Sequence, residues 1–288
     1  MNNYVIMTDS ACDMGKETLN NWRVKYLDLV LHFTDDNKEF KDTEIDAKKF
    51  YQKMRDGGIA KTSAVNVESF KELFESELKN GKDVLYLGFS SGLSSTFNSA
   101  KIAADELNEE YPNNRVLVVD SRSASAGMGL LLYLGVQKRD EGKSIDEVYN
   151  YLEEIKFNIC HWFTVDDLVY LKRGGRISPT VALVGTLLGI KPILHMDNDG
   201  HLIPMTKVRG RTKSIKTLVD KYGELVRKDG EAPIFICHGD CLEDVEKLKK
   251  VLKEKYNKDV DMVVNTGPVI GAHSGPGTLS IFFVGKER

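Results

Sequence analysis

Hydroxyls and carboxylates gather in four short clusters: TDSACD at 8–13, TSAVN at 62–66, GFSSGLSST at 88–96 and DSRSASAG at 120–127. Groups of this kind can supply a nucleophile, cradle a phosphate or hold a carboxylate. Gly88-Phe89-Ser90-Ser91-Gly92 fits G-x-S-x-G, the pattern that presents a nucleophilic Ser between a strand and a helix. A later acid and His273 complete the order of a catalytic triad. Against that reading, GLSST follows the candidate nucleophile and moves the expected helix start to Ser94, and no HGG-type segment precedes it. A Ser hydrolase of lipid esters acting through Ser90 or Ser91 stands as the alternative. Phosphate chemistry is weaker still, because no G-x-x-x-x-G-K-[ST] occurs and no G-x-G-x-x-G follows a strand. What remains is an anion held by hydroxyls and a helix N-terminus with no cation in the loop, which suits a carboxylate. The bland account is that Ser94, Ser123 and Asn66 only cap helices.

Two further stretches carry charge or a titratable ring. YLKRGGRIS (170–178) sets three cations around two glycines, as a helix C-terminus also would. In GAHSGPGTLSIFF (271–283), His273 sits in a Gly-rich turn just before a strand, and glycines there permit a close approach. KVRGRTK (207–213) places four cations in seven residues of a slightly acidic chain.

These groups need a frame. In the first half, strands are expected at 4–8, 26–33, 84–88 and 115–121. Helices are expected at 46–54, 66–79 and 94–109, from the end of the 115–121 strand through QKRDEG, and at 144–156. Strands spaced by helices of this length imply right-handed crossovers and a parallel sheet, whose ligands lie beyond the carboxyl ends of the strands. In the second half, 157–165 reads as a strand, DDLVYLKRGGRI as a short helix and 191–209 as a hairpin around DNDG. Then come helix 211–228, strand APIFICHG, helix 242–255 and strands VDMVVN and LSIFFVG. The expectation is an α/β protein of two domains. A parallel-sheet, Rossmann-like unit spans 1–156, and an α+β unit spans 157–288.

Composition sets the outer limits. The 288 residues are 41% hydrophobic and 29% charged, ample for a core, and a net charge of −3 disfavours nucleic acid as a partner. The four Cys form neither a CxxC pair nor a complete zinc set, so no metal site is expected. MNNYVIMTDS has no signal-peptide pattern, and the apolar stretch Thr180–Leu194 is too short to span a bilayer. A cytoplasmic location without membrane insertion is the resulting expectation.

TDSACD, TS at 62–63, SSGLSST, DSRSASAGMG, DLVYLKRGGRIS and PVIGAHSGPGTLSIFF, in this order, resemble the DegV family over essentially the whole chain. The resemblance implies a bacterial protein that binds a long-chain fatty acid between its two domains. It further implies no cofactor and no catalysis of its own, the acid being carried to a separate fatty acid kinase that makes acyl phosphate. Matched motif by motif, it assigns the carboxylate to Thr62, Ser94 and His273, with Ser63, Gly92 and Ser95 as further members of the head-group loop. Ser95 departs from the family's Gly in GLSGT, which bears on the loop geometry. The acyl tail would need an apolar slot, with Thr180–Leu194 and its small Gly185 and Gly189 as one wall. Burying about fourteen methylenes gains on the order of 11 kcal/mol before costs. A carrier must also meet its kinase, and Arg173, Arg176, Arg209 and Arg211 are the candidate docking cations.

Overall fold

A computed structural model describes residues 3–36, 38–178, 189–228 and 232–288. Four strands form a parallel sheet in the order β2-β1-β6-β7: β1 (Tyr4–Asp9), β2 (Lys25–Leu27), β6 (Asp83–Gly88) and β7 (Val116–Asp120). A small antiparallel sheet, β4-β3-β5, sits within the same half and consists of β3 (Val30–Phe33), β4 (Glu39–Lys41) and β5 (Ala60–Ser63). The helices of this half are α1 (Gly15–Asn21), α2 (Ala47–Arg55), α3 (Val67–Leu78), α4 (Thr96–Glu110), α5 (Ser125–Asp140) and α6 (Ile145–Ile155).

The six strands from residue 159 onward make one mixed sheet, β10-β9-β8-β13-β11-β12. They are β8 (Ile159–Thr164), β9 (Ile190–Met196), β10 (Leu202–Arg209), β11 (Phe235–His238), β12 (Met262–Asn265) and β13 (Leu279–Val284). Helices α7 (Val169–Arg173), α8 (Arg211–Leu225), α9 (Leu242–Tyr256) and α10 (Pro268–Ser274) accompany them. β8 and β13 are buried at every position, which is why ICHWFT and LSIFFV read as continuous runs rather than alternating ones. α5 is buried almost all round and packs against β8, β11 and β13. The largest apolar cluster accordingly runs from Tyr4 to Ile159 and takes in Met196, Phe235, Val269 and Phe282.

Local chemistry explains the starts of three helices. Asp46 accepts the Lys49 amide at the head of α2, Asn66 accepts the Ser69 amide at α3, and Ser144 with Glu147 closes a capping box on α6.

Five expectations are corrected. YLDLVLHF is two strands in two sheets, because the chain breaks at Asp28, whose carboxylate takes the Thr43 amide, and at Leu29, whose amide donates to the Ser10 hydroxyl. β4 forms at Glu39–Lys41, where no strand is expected. α4 begins at Thr96 rather than Ser94, since the Ser94 hydroxyl takes the Thr96 amide and keeps the chain in a turn. α5 begins at Ser125 with Ala124 before it, and the Ser123 hydroxyl turns to His161 Nε2 instead of capping. His273 lies on the short helix α10, with Pro268 at its first position and Gly275 closing it at φ +81°, not in a turn.

A polar-rimmed apolar cavity

Three of the four hydroxyl clusters leave the carboxyl ends of the parallel strands β1, β6 and β7, while TSAVN leaves β5 of the antiparallel sheet. Their carboxylates do not face a ligand. Asp9 accepts from the Tyr86 hydroxyl at 2.6 Å and from the Phe89 and Ala11 amides, and burial raises its pKa to about 6. Asp120 accepts the Ser91 amide at 3.2 Å. Both acids hold the 89–92 loop in place.

That loop also explains the G-x-S-x-G pattern. Ser90 is fully buried, donates to the Gly200 carbonyl at 3.0 Å and accepts the Gly92 amide at 3.2 Å. A methyl group on Gly92 would stand 2.7 Å from the Asp199 carbonyl oxygen, so only Gly admits the β9–β10 turn here. The motif seats a hairpin. Among the described residues, no His is hydrogen-bonded to the Ser90 or Ser91 hydroxyl, as a nucleophile would require.

Beside the loop opens a cavity of about 510 Å³, within the usual range for small-molecule sites. Thr62, Ser63, Gly92, Ser94, Ser95, Arg176 and His273 all line it, so residues more than two hundred positions apart share one wall. His273 Nε2 lies 2.8 Å from Thr62 Oγ1, while its Nδ1 is buried without a partner. Burial first, and Arg176 second, push the ring's pKa down to about 4, so it is neutral. α10 brings His273 close against α7: a methyl on Gly174 would meet Nδ1 at 2.1 Å. Ser94 Oγ lies 3.0 Å from Thr96 Oγ1 and can still donate or accept elsewhere. Ser95 is exposed at φ −75°, a conformation any residue adopts, so the departure from Gly leaves the backbone unstrained.

Arg176 is the cavity group that the sequence reading assigned elsewhere. Its guanidinium donates to the Leu93 carbonyl from Nε at 3.1 Å and Nη2 at 2.9 Å, and to the Gly174 carbonyl. Burial holds its pKa below the ordinary value. No described carboxylate lies within ion-pairing distance, which leaves a half-buried positive charge beside Thr62, Ser94 and His273. RGGRIS carried this signal only as a run of cations. Arg211 turns inward as well, to Asp244 at 2.8 Å and to the Gly277 carbonyl at 2.7 Å. Arg173 and Arg209 are exposed.

Leu29, Phe89, Phe163, Met196, Val269 and Phe282 supply apolar wall, and Ser125, Thr266, Ser274, Thr278 and Ser280 add further hydroxyls to the lining. In the stretch expected to form a wall, residues 180–188, Gly185 among them, lie outside the described residues, and Ile190–Leu194 belong to β9. His161 lines the same cavity. Its Nδ1 lies 2.8 Å from the Ile159 carbonyl oxygen and its Nε2 faces Ser123, so both ring nitrogens are used inside the fold. No metal-ligand cluster occurs among the described residues, and none of their helices is long and apolar enough to cross a membrane.

A cavity lined from both halves of an α/β fold, with hydroxyls and a cation among apolar side chains, has the make-up of a small-molecule site. The chain matches the model of the DegV family, described as uncharacterised protein, over residues 3–286, and it belongs to that family. A DegV domain-containing protein of Clostridium perfringens is 45% identical, with 100% of this chain and 99% of that one covered. A DegV lipid-binding protein from Thermotoga maritima superposes with a TM-score of 0.85 at 30% identity, with 100% of both chains covered. A stearic acid-binding protein from Eubacterium ventriosum gives 0.86 at 26% identity, covering 98% of each.

Proposed function

We propose that this protein binds a long-chain fatty acid and presents it, in the cytoplasm, to a separate fatty acid kinase for acyl phosphate formation. The observation that carries the reading is the cavity itself, whose lining combines large apolar side chains with Thr62, Ser94, His273 and an Arg176 that has no described carboxylate partner. A cation and hydroxyl donors in a half-buried site suit a carboxylate better than a neutral ester. Lipid binding by the Thermotoga maritima relative and stearic acid binding by the Eubacterium ventriosum relative support the same ligand class. In this reading Ser63, Gly92 and Ser95 complete the head-group loop, and residues 1–156 and 157–288 are the two units that enclose the ligand.

We read the chain as a carrier rather than an enzyme. Two hydroxyl–imidazole pairs occur among the described residues: Thr62 with His273, whose Nδ1 has no partner to orient the ring, and Ser123 with His161, where Ser123 is fully buried and lines no part of the cavity. Kinase docking falls to the exposed Arg173 and Arg209, because Arg176 lines the cavity and Arg211 is paired with Asp244.

Native mass spectrometry of the purified protein tests the reading. A copurified adduct in the mass range of a common fatty acid is expected. Protein that is ligand-free and takes up neither oleate nor palmitate overturns it. Stoichiometric labelling of Ser90 or Ser91 by a fluorophosphonate probe would instead establish the hydrolase.

A further inference from the structure

The helix that carries His273 has an unusual start. Gly267 occupies the position before Pro268, where a side-chain oxygen would ordinarily cap the first turn, and it has none to offer. The cap comes from far away in sequence: the Val269 amide donates to Asp42 Oδ1 at 2.8 Å, across 227 residues. Asp42 sits in the 3-10 turn Asp42–Glu44 that follows β4 and is 4% exposed.

Neighbouring contacts tighten the same junction. The Tyr51 hydroxyl, on α2, donates to the Thr266 carbonyl at 2.9 Å. A methyl on Gly267 would stand 2.7 Å from Asp13 Oδ1 and 3.3 Å from Asp42 Oδ1, so both carboxyls press against this one glycine. The first half of the chain therefore grips the start of α10 at Thr266, Gly267 and Val269, and meets its far end where Thr62 bonds His273. α10 has only seven residues, and a helix so short is held by its ends rather than by its own hydrogen bonds.

We propose that Asp42 is a positioning residue for carboxylate recognition: by capping α10 it fixes where His273 stands relative to Thr62 and to the bound head group. Asp42 lines no part of the cavity; its carboxyl also takes the Ser10 hydroxyl, and α10 is what links it to His273. The inference rests on the fatty acid reading given above.

The test compares oleate with oleyl alcohol, which share a tail and differ in the head group. Dissociation constants are measured for wild type, His273→Ala, Asp42→Ala, Asp42→Asn and the double Asp42→Ala/His273→Ala. Wild type is expected to prefer the acid, and Asp42→Ala to lose about tenfold of that preference, the scale of one hydrogen bond to a charged group. Asp42→Asn retains an oxygen acceptor for the Val269 amide and is expected to keep the preference. The double variant is expected to match His273→Ala. If Asp42→Ala does not fold, Asp42→Glu replaces it, moving the acceptor by one methylene with the same loss expected. A merely structural role would weaken acid and alcohol alike, and an unchanged preference in a folded Asp42→Ala or Asp42→Glu overturns the positioning role alone. Wild-type protein that binds no fatty acid overturns this inference together with the function it rests on.

Discussion

His273 is a neutral ring in the proposed head-group site. Burial and Arg176 both oppose its protonation, so to a carboxylate it would offer a hydrogen bond from an uncharged donor, with Arg176 supplying the charge. Thr62→Ala, Ser94→Ala and His273→Ala are each expected to weaken oleate binding by about tenfold without abolishing it, because one hydrogen bond to a charged group is small beside the burial of the tail. Isothermal titration measures this directly. The same variants should lose more in kinase-coupled acyl phosphate formation, where the carboxylate has to be held in one orientation. Wild-type transfer rates in all three would remove these side chains from the head-group site. Arg176→Gln is expected to cost at least as much as any of them, since it removes the one unpaired cation on that wall.

At the scale of elements, α10 and α2 fit closely beside the site. A methyl on Gly271 would stand 2.4 Å from the Tyr51 hydroxyl. Gly271→Ala is expected to destabilise the fold by about 1–3 kcal/mol, the usual cost of overpacking, and Tyr51→Phe in that background should recover part of the loss. Urea unfolding of the two variants decides it, and a neutral Gly271→Ala would mean that the helices slide apart freely. The same glycine shows what the sequence could not disclose. GAHSGPG reads as a turn because three of its seven residues are Gly. One of them is in a helix only because a Tyr from α2 occupies the space of its missing side chain, and that contact is invisible without the fold. Arg176 misled for a related reason: a cation in RGGRIS looks like a helix end until its guanidinium is seen folded back onto Leu93. By contrast, the parallel strands, the capped helices α2, α3 and α6 and the DNDG hairpin were legible, because their signals are local. Thr62, Ser94 and His273 could be named from ordered motifs, yet their convergence on one cavity is a property of topology.

For the whole molecule, buried carboxyls tie stability to pH. Burial raises the pKa of Asp42 to about 7 and that of Asp13 well above its ordinary value. A carboxyl that is protonated when folded and ionised when unfolded contributes stability that is complete below about pH 4. For Asp42 that contribution declines by up to roughly 1.4 kcal/mol per pH unit until its folded pKa near 7 is passed. His195 and His273, both lowered to about 4, act in the opposite sense between about pH 4 and 6.5 and partly mask the trend in wild type. Asp42→Asn isolates it: measured by urea unfolding, the variant is expected to gain on wild type steadily from pH 5 to pH 7, and a constant difference would show that Asp42 is not protonated in the folded state. The order of the six-stranded sheet has a separate bearing, on how the protein is made. β13 is the last of its strands in sequence but lies between β8 and β11, near the middle. A nascent chain that has emerged only as far as α10 holds β8–β10 and β11–β12 as two fragments with bare apolar edges facing each other. Until Leu279–Val284 leaves the ribosome, those edges are open to aggregation and are natural clients for a chaperone.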